Sequence, residues 1–268
     1  MIAADASGRA TIAIGRVKVG LRTSNKAFLD LLHHRYTGYI ADREAPDYEF
    51  DIVLTPPTDT DADDDVRVFR EGSDWHLERG DFHAHWNPGA RQGRIHQSAN
   101  PYSIDAVLRI VHTLVLANEG GFLMHSASAV RNGKAFLFAG VSGAGKTTIS
   151  RLAPDDADVL TDEISYVRKE DDGYHAYGTP FAGELARAGE NLKAPIDAVY
   201  LLAQGPDNRI DDVDAADAAR ALLTNILFFA EDPELVQAVF HSALEFVDRV
   251  PVRRLTFVPD ARVWELIQ

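Results

Sequence analysis

Residues 136–148, Phe-Leu-Phe-Ala-Gly-Val-Ser-Gly-Ala-Gly-Lys-Thr-Thr, constrain the fold of this chain more than any other stretch. The apolar run 135–139 reads as a buried strand, the middle fits Gly140-x-x-x-x-Gly145-Lys146-Thr147, and 147–152 reads as the first turns of a helix. Glycines at 140, 143 and 145 permit dihedrals and close approaches that a side chain forbids, so successive N–H groups can turn inward around phosphate oxygens. Lys146 then offers a point charge to the outer phosphates, and the Thr147 hydroxyl stands where it can ligate Mg2+. The helix start adds its positive end to the same anion. The motif nominates Gly140, Ser142, Gly143, Ala144, Gly145, Lys146, Thr147 and Thr148 as nucleotide-binding residues.

Bulk properties narrow the alternatives. At 268 residues and 46% apolar, the chain can build one large domain or two modest ones. Its 27 basic and 41 acidic residues give a net charge of -14, which argues against non-specific binding to nucleic acid or anionic membranes. The absence of cysteine excludes disulfides and thiolate chemistry. The first ten residues lack the basic start and long apolar stretch of a signal peptide, and no segment reaches the roughly 18 apolar residues of a membrane span. Cytoplasmic residence is the expectation.

Along the chain, 11–22 reads as one or two strands interrupted at Gly15 and Arg16, and 24–34 as a short amphipathic helix. A strand is expected near 48–54, followed by an acidic loop holding Asp59, Asp61, Asp63 and Asp65. The spacing fails a calcium-loop template, because the sixth and twelfth positions from Asp59 are Asp64 and Arg70, so a solvated loop is favoured. Residues 66–95 form a meander of short strands, with His83 and His85 on one strand face and no third metal ligand evident. Helical spacing is clearest over 101–119, ended by Gly120-Gly121, and this helix is expected to bridge the two halves. Strand 122–130 and the phosphate-loop strand flank an Asn132-Gly133 pair, which predicts an antiparallel hairpin. Beyond the loop we expect a strand over 158–168, another over 198–202, helices over 215–230 and 233–250, a strand over 254–258 and a short terminal helix at 263–267. The division expected is a β-rich domain over 1–100 and a nucleotide-binding domain over 101–268, an α/β chain as a whole.

Phosphoryl transfer needs carboxylates for Mg2+ and a group that orients the acceptor hydroxyl. Asp162 and Glu163 follow Lys146 by 16 and 17 residues. If they lie within a strand, adjacent residues face opposite ways, so one of the two faces the phosphates. His125 lies in an apolar strand and by itself reads more readily as a core histidine than as a functional one.

The ordered set Met124-His125, Ser142-Gly-Ala-Gly-Lys-Thr147, Leu160-Thr-Asp-Glu163 and Gly178-Thr-Pro-Phe-Ala-Gly-Glu184 resembles the catalytic region of the HPr serine kinase/phosphorylase family, whose fold is related to phosphoenolpyruvate carboxykinase. It is most similar to the smaller HPr-kinase-related proteins, some of which accompany peptide natural-product clusters and phosphorylate a precursor-peptide serine. The resemblance covers roughly 120–206, with a weaker echo at 253–259. It implies an ATP- and Mg2+-dependent kinase acting on a hydroxyl, with a serine of a peptide or small protein as acceptor and homo-oligomers possible. Under it, Asp162 orients the hydroxyl proton and contacts metal, His125 braces that acid, Thr147, Glu163 and Glu184 join the metal side, and Arg187 contacts phosphate or substrate. The chain departs from true HPr kinases in having Glu163 for a second Asp, Thr147-Thr148 for Ser-Glu, and no Gly-rich segment after the metal-side Glu. These departures argue against HPr itself as acceptor and against reverse phosphorolysis. A small-molecule kinase, a plain NTPase and a non-catalytic ATP-sensing adaptor are the competing readings.

Overall fold

Alternation of apolar and polar residues lays down the first sheet. In Phe82–Asn87 the residues Phe82, Ala84 and Trp86 are buried while His83 and His85 are exposed, the period-two pattern of a strand with one covered face. A computed structural model describes residues 8–57 and 65–268, mixed α/β and strand-rich, with a seven-stranded and a nine-stranded sheet. Asp59, Asp61 and Asp63 of the acidic loop lie outside the described residues. No helix among the described residues is long and apolar enough to cross a membrane.

The first compact unit comprises the residues up to Leu114 together with Phe229–Pro233. Its strands are β1 (Gly8–Ile14), β2 (Val17–Thr23), β3 (Tyr48–Leu54), β4 (Arg67–Glu71), β5 (Asp74–Arg79), β6 (Phe82–Asn87) and β7 (Gln92–Gln97), in the order β1-β2-β3-β7-β6-β5-β4. Gly15 and Arg16, both at positive φ, turn β1 back onto β2, so the interruption between them is a hairpin. β2 with β3 and β3 with β7 pair in parallel, and the remaining neighbours are antiparallel. Helix α1 (Lys26–Arg35) is capped by Asn25, whose side chain accepts the Phe28 N–H. Buried Asp105 receives the Arg35 guanidinium and, at 2.6 Å, the Tyr36 hydroxyl.

Asp105 lies on α2 (Pro101–Glu119), which begins and ends where the helical period and the glycine pair predict. The compact units divide inside this helix, between Leu114 and Val115, whereas a boundary at 100/101 assigns all of it to the second. Residues 229–233 return to the first unit: Ala230 bridges Val68 and Asp232 pairs with Arg70 at 3.0 Å.

The second unit holds β8 (Phe122–Arg131), β9 (Lys134–Ala139), α3 (Lys146–Arg151), β10 (Ala157–Thr161), β11 (Ile164–Glu170), β12 (Gly173–Tyr177), β13 (Lys193–Gln204), β14 (Arg209–Asp212), α4 (Ala215–Asn225), β15 (Ile226–Leu227), α5 (Pro233–Arg249) and β16 (Val252–Phe257). β9 is buried on both faces. Ala135, Leu137 and Ala139 join one core cluster with Phe246 of α5, while Phe136 and Phe138 join another with Tyr200 and Trp264. That explains its unbroken apolar run, since a strand covered on both sides has no solvent face. The β8–β9 turn has Asn132 and Gly133 both at positive φ, as the Asn-Gly pair predicts.

Three expectations need correction. The stretch 158–168 is two strands, β10 and β11, interrupted at Asp162 and Glu163. The Thr161 hydroxyl accepts the N–H groups of Glu163 and Ile164, both at 3.1 Å, and this local bonding turns the chain out of the ladder. The helix expected over 215–230 ends at Asn225, because Ile226 and Leu227 pair with Leu123 and Met124 of β8. The terminal segment is a 3-10 turn over Ala261–Leu266. In that turn the Trp264 indole donates to the Ile149 carbonyl at 3.1 Å, and Arg131 donates to the carbonyls of Trp264 and Ile267.

Candidate functional site

β9 ends at Ala139 and delivers the glycine loop directly to α3. Gly145 sits at φ 112°, and a Cβ there meets the Phe257 ring at 2.7 Å, so conformation and space both demand glycine. A Cβ on Gly140 meets Ala144 Cβ at 2.7 Å, which keeps the loop folded tightly back on itself. The loop is braced from β13 by the Gln204 amide, which donates to the Gly143 carbonyl at 2.8 Å. Because α3 has only six residues, its dipole is a minor contribution. Its first-turn N–H groups nonetheless lack intrahelical acceptors by geometry and stand beside the loop.

Lys146 is 9% exposed and donates to the carbonyls of Gly140 at 2.8 Å and Val141 at 3.3 Å. Burial pushes its ammonium below the ordinary lysine value, while the charges of Glu163 and Glu184 pull it back up. A buried ammonium satisfied by loop carbonyls, beside free-standing glycine backbone, is a donor set suited to an anion with several oxygens.

Asp162 is 5% exposed, and both of its oxygens accept backbone N–H groups from the segment that follows β12: Gly183 at 2.9 Å and Leu185 at 2.8 Å. A Cβ on Gly183 meets Asp162 Oδ2 at 2.8 Å and Glu163 Cβ at 2.9 Å. The glycine of Gly178-Thr-Pro-Phe-Ala-Gly-Glu184 therefore lets this segment lie against the acids. It forms a strap, pinned further along where the Glu190 N–H donates to the Val159 carbonyl at 2.9 Å.

His125, Ser142, Gly143, Gly145, Lys146, Thr147, Thr148, Asp162, Glu163, Gly183 and Glu184 together line one cavity of about 510 Å3. Asp162 and Glu163 both reach it. The expectation that strand alternation turns one of them away fails because neither lies in a strand. His125 stands in register with Ile164, next to the break in the ladder. Thr147 and Glu163 are half-buried and Glu184 is exposed, so a hydrated cation can reach all three, and hydroxyl and carboxylate oxygens are the ligands Mg2+ takes. Arg187 does not line this cavity. It is exposed and borders a second one of about 550 Å3 with Ser150, Arg151, Asp155, Asp158 and Glu190. Sequence reasoning missed the duty of Asp162 as a strap anchor and the bracing by Gln204 and Phe257. The Gly183-Glu184 pair was the available signal for the first, and nothing local marks the second.

Among curated proteins, none matches this chain. A family profile described as SynChlorMet cassette protein ScmC matches residues 96–268, which is more than half of the sequence and includes every residue of the cavity. The chain belongs to the ScmC family.

Proposed function

We propose that the chain is an ATP- and Mg2+-dependent kinase of the HPr-kinase-related type, passing the γ-phosphoryl group to a hydroxyl, with a serine of a peptide or small protein as the acceptor class. One observation carries the reading: the loop lysine and threonine, three carboxylates and a histidine line a single cavity at the end of β9. A nucleotide cradle alone needs only the loop; transfer needs the acids as well.

The roles follow from position and charge. Lys146 counters negative charge on the outer phosphates, and its depressed pKa marks a desolvated ammonium whose attraction for an anion is little screened. Thr147, Glu163 and Glu184 are the groups that would hold Mg2+, which supplies charge neutralisation when bound. A carboxylate offers about four lone-pair sites, so Asp162 keeps acceptor capacity after taking two N–H groups and can orient the acceptor hydroxyl. The strap fixes the aim of Asp162, and in return Asp162 fixes where Glu184 stands. His125, in the same cavity, would brace Asp162 and the transferring phosphate.

The double anchoring of Asp162 also favours a second reading, a nucleotide-sensing adaptor in which this acid couples the cavity to the strap. The two readings separate on γ-labelled ATP with Mg2+ and a host lysate, run beside Lys146→Ala and Asp162→Asn, with phosphoamino-acid analysis. The kinase gives a phosphoserine band lost in both variants. Label that stays in ATP despite measured nucleotide binding by the wild type selects the adaptor.

A further inference from the structure

The β11–β12 hairpin carries a buried histidine that hydrogen bonding does not account for. Glu170 closes β11, Asp172 sits in the turn and His175 lies on β12. His175 is 4% exposed, and its Nδ1 is buried with no hydrogen-bond partner. That nitrogen lies 3.9 Å from Glu170 Oε2, and Nε2 lies 3.6 Å from Asp172 Oδ2. Both gaps exceed hydrogen-bond reach, and a single ion would take only one of the two ring nitrogens. One ligand atom from each of the three residues falls within 4.8 Å of the others.

The surroundings fit such a site. The Tyr177 hydroxyl donates to Glu170 Oε1, orienting the carboxylate from behind as outer groups do around metal ligands. On the other oxygen sits the Lys193 ammonium, a cation already in the place where an ion would approach. The Lys193 side chain is 39% exposed, and its flexible stem lets the ammonium withdraw into water.

We propose that Glu170, Asp172 and His175 form a site for a divalent transition-metal ion of the Zn2+ class, with Lys193 as a tethered competitor for the same carboxylate. One imidazole nitrogen and two carboxylate oxygens suit Zn2+, Co2+ or Ni2+, whereas Mg2+ and Ca2+ prefer oxygen alone. Three protein ligands leave a fourth position for water, on the side of Asp172, whose side chain is 74% exposed. The site is separate from the phosphate-loop cavity, and it does not rest on the kinase reading.

The test is titration of Co2+ and Zn2+ into the chain, followed by visible absorption and calorimetry, with Glu163→Gln and Glu184→Gln as background to remove the two cavity acids that are not tied up by backbone N–H groups. One ion should bind per chain. His175→Ala and the exposed, fold-neutral Asp172→Asn should each weaken binding by about tenfold or more, and Lys193→Met should tighten it severalfold. Background protein that is folded yet takes no Co2+ or Zn2+, an Asp172→Asn protein that binds like the background, or Lys193→Met without a gain in affinity would each overturn the proposal.

Discussion

The two sheets differ in how completely they use their ladders. In the first, β5, β6 and β7 pair from end to end without a slip, side chains alternate between buried and exposed, and charged groups such as Arg22 and Glu49 meet at 3.1 Å on the exposed face. In the second, β8 meets β11 along 122–125 and β10 along 128–131, and β13 slips register between Ile196 and Ala198. An unbroken ladder consumes backbone groups and sends neighbouring side chains to opposite faces. Breaking it at Asp162 and Glu163 lets consecutive acids open onto one cavity and frees Asp162 to take backbone donors from another segment. Regular pairing stabilises; the candidate chemistry gathers where the period fails.

Four measurements would break or sharpen that contrast. The largest effect should come from Lys146→Ala, which is expected to weaken Mg-ATP binding on the order of 3 kcal/mol, about a hundredfold, by calorimetry. Equal affinity in the variant would detach the loop from nucleotide altogether. Next is Asp105→Ala in the first unit. It strands Arg35 and the Tyr36 hydroxyl and should cost about 2–4 kcal/mol in urea unfolding while leaving Mg-ATP affinity as it was.

A matched pair of glycines follows. A Cβ on Gly93 meets the Phe50 ring at 2.4 Å, and one on Gly183 meets Asp162 at 2.8 Å. Either alanine should cost roughly 1–3 kcal/mol of stability, but only Gly183→Ala should also weaken Mn2+ and nucleotide binding. If Gly93→Ala weakened them equally, the separation of duties between the sheets would fail.

The smallest effect concerns acid. Burial pushes the Asp81 carboxyl up, yet hydrogen bonds from Arg79 and Ser103 overcome it and hold the group below its ordinary value of 3.8. A depressed folded-state pKa contributes stability that is complete above the unfolded value and fades as pH falls below it. Wild type should therefore lose stability in that acid range more steeply than Asp81→Asn, as followed by circular dichroism.

Much of the local structure was legible because local physics decides it. The helical period and the Gly120-Gly121 stop define α2, Asn132-Gly133 sets the β8–β9 hairpin, and the apolar run before Gly140 marks β9 as buried. The loop residues and their strand-loop-helix setting were likewise readable. What stayed hidden is non-local: the parallel pairing of β3 with β7, the excursion of residues 229–233 to the first unit, and the meeting of the strap with Asp162. Periodicity does not report such contacts. Strand β14, four residues with Asp211 and Asp212 exposed, offered a single apolar residue, Ile210, and no alternation to read. At Asp162 the sequence named a residue that lines the cavity but gave it the wrong backbone, since the Thr161 hydroxyl competes with the ladder in a way that strand propensity does not register.

The hydrogen bond from Trp264 to Ile149, with Arg131 holding the carbonyls of Trp264 and Ile267, has a practical reach. It ties the 3-10 turn to Ile149, three residues and less than one helical turn after Lys146, so a change at Trp264 bears on the glycine loop from behind.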